Sequence, residues 1–182
     1  MPVPRDPYLT DALRQVRKLK LLADRAVMQI PPDKLFATLD RESNSIALIM
    51  KHLAGNMRSR WTDFLTTDGE KPDRRRDAEF TAEPGDTDDR ILERWEAGWR
   101  ALFAALEPLT AADLGRTVTI RGEPHSVVEA INRQMTHYAY HVGQIVILAK
   151  HFTGSAWRSL SIPRGKSGEV EVSKDGDAYE VR

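Results

Sequence analysis

Four long segments with apolar residues at helical spacing constrain the fold of this chain more than any other feature. An apolar stripe that recurs every three or four residues specifies an amphipathic helix, which must bury one face. The first segment runs from about Tyr8 to Ile30, where a proline pair at positions 31–32 interrupts it. The second begins after Ser43, Asn44 and Ser45, which are good capping residues, and continues to about Leu65.

The other two segments lie in the second half of the chain. Thr87 starts the third segment, two acidic residues follow in its first turn, and Pro108 closes it. The fourth is predicted to open near Pro124, a residue suited to a first helical position, and to run to about Phe152 before Gly154. Four amphipathic helices predict an all-α fold, a four-helix bundle in which facing helices can build a metal site.

The connections between these helices add little regular structure. Residues 67–86 form a polar loop between helices 2 and 3, beyond the usual loop length, and this loop permits a crossover connection. Residues 33–40 allow one or two helical turns, and residues 110–113 have a capping-box pattern. Residues 117–120 have strand propensity, but four residues make little sheet.

The C-terminal residues have a different pattern from the bundle. Two short β runs flank Asp175 and Gly176, a pair typical of hairpin turns, so this segment is either a hairpin or a frayed tail. The sequence therefore predicts one domain over residues 1–165, followed by a tail or hairpin over residues 166–182.

Composition restricts the functional classes. The chain contains no cysteine, which excludes disulfides, thiolate metal sites and a cysteine nucleophile. Its 27 basic and 27 acidic residues balance, so no net charge directs it to nucleic acid or to an anionic membrane. The N-terminus lacks an apolar signal region, and no run approaches the roughly 20 apolar residues of a membrane span. We expect a cytoplasmic, soluble protein.

Three histidines are the strongest functional signal. His137 and His141 lie four residues apart on the most apolar helix, so both side chains project from the same face. His52 lies in a second strongly apolar helix and could complete a site with three protein ligands and one open position, the arrangement of a catalytic metal. Gln134 and Gln144 extend the same polar stripe. The alternative is a set of core-edge histidines whose N–H groups are satisfied by neighbouring residues.

The motif differs from that of zinc proteases. Tyr138 takes the place of the glutamate in an HExxH motif, and no carboxylate beside the histidine pair is an obvious general base. A zincin protease is therefore disfavoured.

Polar residues near the histidines have two interpretations. Asn56, Arg60 and Asp63 continue the face of His52, so they could contact substrate, with Arg60 gripping a carboxylate or the acid group of a thiol cofactor. The alternative, which we favour, is an ordinary Arg60–Asp63 ion pair. Tyr138 could hold a metal-bound substrate through its hydroxyl, but Tyr138 and Tyr140 are both expected to pack between helices.

Some residues have simpler interpretations. The apolar face of helix 3 predicts that Trp95 and Trp99 belong to the core. Arg74, Arg75 and Arg76 could receive an anionic substrate. Nearby acidic residues nearly cancel their charge, so a solvated loop is the favoured interpretation. His125 and His151, at the two ends of helix 4, are not expected to be ligands.

The two histidine-bearing stretches resemble a known family. NSIALIMKHLAGNMRSRWTDFL, followed far downstream by HYAYHVGQIV, resembles the DinB-like superfamily of metal-dependent enzymes, and is closest to an uncharacterised bacterial branch. The resemblance covers about residues 8–165. The family pattern is one histidine in helix 2 and HxxxHxGQ in helix 4, matched here by His52, His137, His141, Gly143 and Gln144.

The resemblance implies more than the residues alone show. It implies a bundle in up-down-down-up order, a homodimer, and a divalent transition metal, commonly zinc or nickel, held by the three histidines. Imidazole ligands by themselves do not choose among zinc, nickel, copper and iron. Relatives include thiol-dependent S-transferases and a mycothiol-dependent isomerase.

Two functional hypotheses follow. The first is a metal-dependent transferase or hydrolase that acts on a small molecule through a metal-activated thiol or water, with no nucleic-acid or membrane partner. The second is a non-catalytic metal-binding or stress-response module in which the ion is structural.

Overall fold

Four helices form the body of the protein, and the all-α bundle predicted from the sequence is confirmed. The computed structural model describes residues 6–171 and 180–181. The helices are α1 (Pro7–Val27), α2 (Ile46–Trp61), α3 (Asp88–Leu106) and α4 (Val127–Thr153). Short 3-10 turns lie in the connections, at Pro32–Lys34, Arg76–Phe80, Ala111–Asp113, Gly154–Ala156 and Ser167–Glu169.

Each helix begins at a side chain that satisfies the free backbone N–H groups of the first turn. The capping oxygens belong to Asp6, Ser45, Thr87 and Ser126. At α4 the cap is reciprocal, because the Glu129 carboxylate also accepts a hydrogen bond from the Ser126 N–H over 2.7 Å.

The capping box corrects the predicted start of α4. Pro124 lies in a β-strand, and the helix begins at Val127, because Ser126 and Glu129 supply the N-terminal cap that a proline cannot. Two predicted helix ends were also too late. α1 ends at Val27 rather than Ile30, and α2 ends at Trp61 rather than Leu65.

α1 and α4 run parallel. Near their N-terminal ends the Tyr8 hydroxyl donates to Asn132 Oδ1 over 2.9 Å, and at their C-terminal ends the Thr153 hydroxyl donates to the Gln29 carbonyl over 3.1 Å. α1 and α3 run antiparallel, since Asp24 near the end of α1 accepts a hydrogen bond from the Trp95 indole in the first half of α3.

α2 and α3 also run parallel. Lys51, in the first half of α2, donates to Asp86 just before α3, and Trp61 at the end of α2 lines the same surface depression as Ala104. Together these pairings give the predicted up-down-down-up order. At the centre of the pair, a Cβ at Gly98 would stand 2.9 Å from Ala54 Cα, so the two backbones are in close contact.

The core lies between all four helices. Trp95 and Trp99 are buried, as predicted, and their rings meet edge to face with centroids 5.3 Å apart. None of the helices in the described residues combines the length and the apolar character that a bilayer crossing requires.

A small hairpin precedes α4. β1 (Thr117–Ile120) pairs antiparallel with β2 (Glu123–Ser126), so the strand propensity of residues 117–120 produces a two-stranded sheet. Its turn places Arg121 and Gly122 at positive φ, and Asp68 accepts hydrogen bonds from both backbone N–H groups over 2.9 and 2.7 Å. The sheet is thereby tied to the loop that follows α2.

The C-terminal segment contains a second strand pair. β3 (Val170–Glu171) pairs antiparallel with β4 (Glu180–Val181), which favours the hairpin over the frayed tail. The turn predicted at Asp175 and Gly176 lies outside the described residues. The domain boundary at residue 165 stays a prediction.

Candidate metal centre

The structure brings the three predicted histidines together. His52 projects from α2, and His137 and His141 project from adjacent turns of α4. One ring nitrogen from each lies within 4.8 Å of the others, and the Nε2 atoms of His52 and His137 are 3.2 Å apart. Two tetrahedral ligands at 2.0–2.1 Å from one ion are separated by about 3.3 Å. The three histidines could therefore hold a metal ion, and their role as ligands stays a prediction.

The helix arrangement explains why the three rings meet. His137 and His141 are one turn apart, and their ring centroids are separated by 4.8 Å. α2 packs across this face of α4, and the His52 ring centroid lies 5.2 Å from that of His137 and 5.0 Å from that of His141. The site therefore depends on the pairing of α2 with α4 in the bundle.

Burial and neighbouring charge keep the α4 histidines neutral. Burial lowers the pKa of His137 to about 3, and the nearby rings of His141 and His52 and the guanidinium of Arg74 act in the same direction. Burial also lowers the pKa of His141. Neutral imidazole is the form that binds a metal, so no proton has to be removed from these rings near pH 7.

The outward nitrogens of two rings have oriented partners. His52 Nδ1 lies 2.8 Å from Glu79 Oε2, and His141 Nδ1 lies 2.8 Å from Gln144 Oε1. The carboxylate and the amide oxygen accept, so each Nδ1 carries the proton in this network. The Nε2 atoms of His52 and His141 then carry a lone pair rather than a proton. Partners of this kind fix the orientation and tautomer of metal-binding histidines.

Glu79 is a residue of the candidate site that the sequence analysis missed. It comes from the short helix Arg76–Phe80 in the long loop, whereas the sequence analysis looked for a carboxylate only beside the histidine pair of α4. Arg74 holds it with two parallel hydrogen bonds, Nε to Oε1 over 2.9 Å and Nη2 to Oε2 over 2.8 Å. Burial raises the pKa of Glu79, but Arg74 and His52 outweigh burial and lower it, so the residue is a carboxylate.

The solvated-loop interpretation is therefore wrong for part of the loop. The side chains of Arg74 and Glu79 are only 4% and 9% exposed. One signal was present in the sequence, because Phe80 is the only aromatic residue in the polar segment 66–86. Its ring packs against His52 with centroids 4.5 Å apart, which anchors the loop over the site.

A glycine on α2 makes room for this carboxylate. A Cβ at Gly55 would stand 2.8 Å from Glu79 Cδ. Such a distance is shorter than any ordinary contact, so Glu79 can approach His52 only because position 55 has no side chain.

The histidines open onto a cleft of about 580 Å³. Asn56 and Arg60, predicted as substrate contacts, line it. Tyr138 does not, because it is fully buried and its hydroxyl accepts from the Trp61 indole over 2.8 Å and donates to Asn56 Oδ1 over 3.2 Å. Tyr140 was expected to pack between helices but is 64% exposed at the cleft.

The predicted Arg60–Asp63 ion pair is wrong. Asp63 adopts a positive φ in the turn after α2, which ends the helical spacing on which the prediction depended. Arg60 instead donates to Glu70 over 3.0 Å and to the Gly69 carbonyl. Its side chain is 5% exposed. The guanidinium therefore belongs to the wall of the cleft rather than to the surface.

Comparison with known proteins places the chain in a family. Residues 5–166 match the family described as Protein of unknown function (DUF1572). The chain belongs to this family. The match includes all four helices and the three histidines. No curated protein and no solved structure matches the chain.

The donor set of this DUF1572 protein fits a divalent transition metal. It offers three imidazoles that line the cleft, and two of them have partners on Nδ1. The remaining histidines lie elsewhere. His125 is in β2, and His151 is exposed near the end of α4.

Proposed function

We propose that this DUF1572 protein is a divalent-metal-dependent enzyme of the DinB-like superfamily that acts on a small molecule. The observation that supports the proposal is the convergence of His52, His137 and His141 at the edge of an open cleft. Zinc or nickel is the proposed ion, with the three histidines as its ligands. The protein is further proposed to be a homodimer, as the resemblance implies, and to be cytoplasmic, as expected from the sequence.

When bound, such an ion supplies Lewis acidity, which lowers the pKa of a water or a thiol at its open position. The protein orients the histidine ligands and covers part of the site. Glu79 holds the His52 tautomer, Phe80 covers the His52 ring, and Asn56 and Arg60 line the path by which substrate enters. The proposed reaction is transfer of a low-molecular-weight thiol to an electrophile, or hydrolysis.

The carboxylates near the cleft support activation by a metal rather than by a side-chain base. Glu79 is engaged by Arg74 and His52, and Glu70 is engaged by Arg60 and Arg121. A carboxylate held by cations has a lowered pKa and is a weak base. Both pKa values are lowered here. A metal-activated nucleophile needs no such base.

Two experiments test the proposal. Elemental analysis of freshly purified protein should find about one zinc or nickel per chain in the wild type, and a strongly reduced content in His52→Ala. Exposed His151→Ala is the matched control and should retain the metal. Metal-loaded protein should then turn over an electrophile with a low-molecular-weight thiol. Turnover no faster than that of His137→Ala with every thiol and with water would refute an enzymatic role.

The alternative is a metal-binding module without turnover. Because the ligands come from two helices, an ion would also cross-link α2 and α4. Removal of the ion by a chelator should then lower the melting temperature by tens of degrees, since binding to the native state alone stabilises it by RT ln(1+[L]/Kd). A small decrease in the melting temperature, together with turnover of substrate, supports an enzymatic role.

A further inference from the structure

We infer that the cleft contains a second recognition element, an oxyanion site, and that the substrate or co-substrate carries a carboxylate or phosphate group. The inference rests on the proposed function for its meaning and on the arginines that line the cleft for its evidence. The anion site would fix one end of the substrate while the reacting group reaches the histidines.

The cleft concentrates positive charge in a protein whose net charge is zero. Five arginines line it, and they come from α2, the long loop, the β1–β2 turn and α4: Arg60, Arg74, Arg76, Arg121 and Arg133. Three carboxylates lie against them, Glu70, Glu79 and Asp77. Asp68 also interacts with Arg60, so a formal excess of one positive charge remains in a concave site, where low-dielectric walls strengthen attraction for an anion.

Two of these guanidinium groups are available to a ligand. Arg133 makes no ion pair or hydrogen bond through its side chain within residues 6–171. It lies four residues before His137, which places it one helical turn from the metal centre on the same face. Among the described residues, the one ion contact of Arg76 is a long one of 3.9 Å with fully exposed Asp77.

A cation–π contact with Phe80 places Arg76 close to the site. Its guanidinium carbon lies 5.2 Å from the centroid of the Phe80 ring, and that ring packs against His52. A guanidinium over a ring face can still donate from its N–H groups to an oxyanion. Arg76 and Arg133 therefore line the same cleft from the long loop and from α4.

Two buried polar side chains on the cleft wall have atoms without partners. Arg60 is 6% exposed and its Nε–H has no acceptor, and Gln134 is 3% exposed and its Oε1 has no donor. Unpaired buried polar atoms are costly and call for a partner. Both side chains line the cleft, but the two unpaired atoms are closed to solvent, so a ligand in the cleft reaches them only if these side chains shift.

The test is isothermal titration with succinate and inorganic phosphate as probes, and with neutral succinamide as the uncharged control. We expect the anions to bind and succinamide not to bind. Arg133→Gln should weaken the binding about tenfold or more, because a charge-assisted contact is lost. Exposed Arg100→Gln, which lies on α3 outside the cleft, should leave it unchanged. Tighter binding of succinate assigns a carboxylate substrate, and tighter binding of phosphate assigns a phosphate ester.

The same titration on chelator-treated protein and on His137→Ala separates this inference from the proposed function. Anion binding that survives loss of the metal supports the arginine site even if no turnover is found. Two outcomes overturn the inference, whatever the metal content. In the first, neither anion binds the metal-loaded protein. In the second, the wild type and Arg133→Gln bind the anions equally well. Arg121→Gln provides a second variant at the rim, and circular dichroism verifies that both variants are folded.

Discussion

Glu79 Oε2 accepts a hydrogen bond from His52 Nδ1 over 2.8 Å, across a sequence separation of 27 residues. The carboxylate thereby leaves the Nε2 lone pair of His52 directed at the other two histidines. Arg74 in turn fixes the carboxylate. A loop residue therefore determines the orientation of a helix residue at the proposed metal centre.

Glu79→Gln should weaken the binding of zinc or nickel by roughly 10–100-fold, because the amide no longer stabilises the proton on His52 Nδ1 as a carboxylate does. Competition with a chelating dye measures the affinity. Asp77→Asn, in the same short helix but fully exposed, is the matched control and should bind metal as the wild type does. Equal affinities for the two variants would show that Glu79 does not position His52.

Gly55→Ala should have a similar effect without altering any polar group. The new methyl would stand where Glu79 now lies, so the carboxylate must withdraw from His52. Overpacking of this kind costs about 1–3 kcal/mol, and metal affinity should fall with it. Gly143→Ala on α4 is the control, because nothing lies within 4 Å of its Cβ position, and the change should stabilise the helix by up to about 1 kcal/mol. Chemical denaturation measures the stability of both variants, and competition with a chelating dye measures their metal affinity.

The sequence predicted the parts of this site that follow helical periodicity. His137 and His141 were found by their spacing, because positions four apart share a face whatever the rest of the chain does. His52 was proposed as the third member because it lies in a second strongly apolar helix, and the resemblance implied the same residue. The predicted position of Asn56 and Arg60 at the cleft followed in the same way from the face of α2.

The parts contributed by the loop were not predictable from periodicity. Glu79 reaches His52 because Phe80 packs on the ring and because Arg74 neutralises a buried charge. These contacts join residues distant in sequence, and their cost or benefit depends on burial that no local pattern encodes. The sequence analysis suggested that nearby acidic residues cancel the charge of the loop arginines in a solvated loop. In the structure the ion pair of Arg74 with Glu79 is buried instead.

Tyr138→Phe should destabilise the protein without altering metal affinity. The hydroxyl links the Trp61 indole to Asn56, and its loss leaves both groups short of a partner in the core. The expected decrease in the free energy of unfolding is about 1–3 kcal/mol. A large loss of turnover with unchanged stability would instead support contact between Tyr138 and the substrate. Denaturant unfolding and a metal titration on the same sample distinguish the two.

Asp86→Asn should destabilise the protein in a pH-dependent way. Lys51 is 7% exposed in its side chain, and its ammonium donates to Asp86 Oδ2 over 2.6 Å. Burial raises the pKa of Asp86, but Lys51, the Glu83 backbone N–H and Arg94 outweigh burial and lower it. A carboxyl group whose pKa is lower in the folded state than the unfolded value of about 3.9 stabilises the fold above that value. This stabilisation is lost as the pH falls through the folded pKa.

At pH 7 the variant should therefore be less stable than the wild type by about 2 kcal/mol. This is below the usual cost of breaking a buried ion pair, because Lys51 keeps the Thr81 carbonyl and Glu83 as acceptors. The difference should begin to shrink below about pH 3.9, where Asp86 of the unfolded chain becomes protonated, and should be lost as the pH falls through the lower folded pKa. Glu83→Gln is the matched control, since Glu83 is 43% exposed and its pair should contribute less than about 1 kcal/mol. Urea unfolding of the three proteins from pH 3 to pH 7 measures both effects, and a pH-independent difference for Asp86→Asn would contradict the electrostatic explanation.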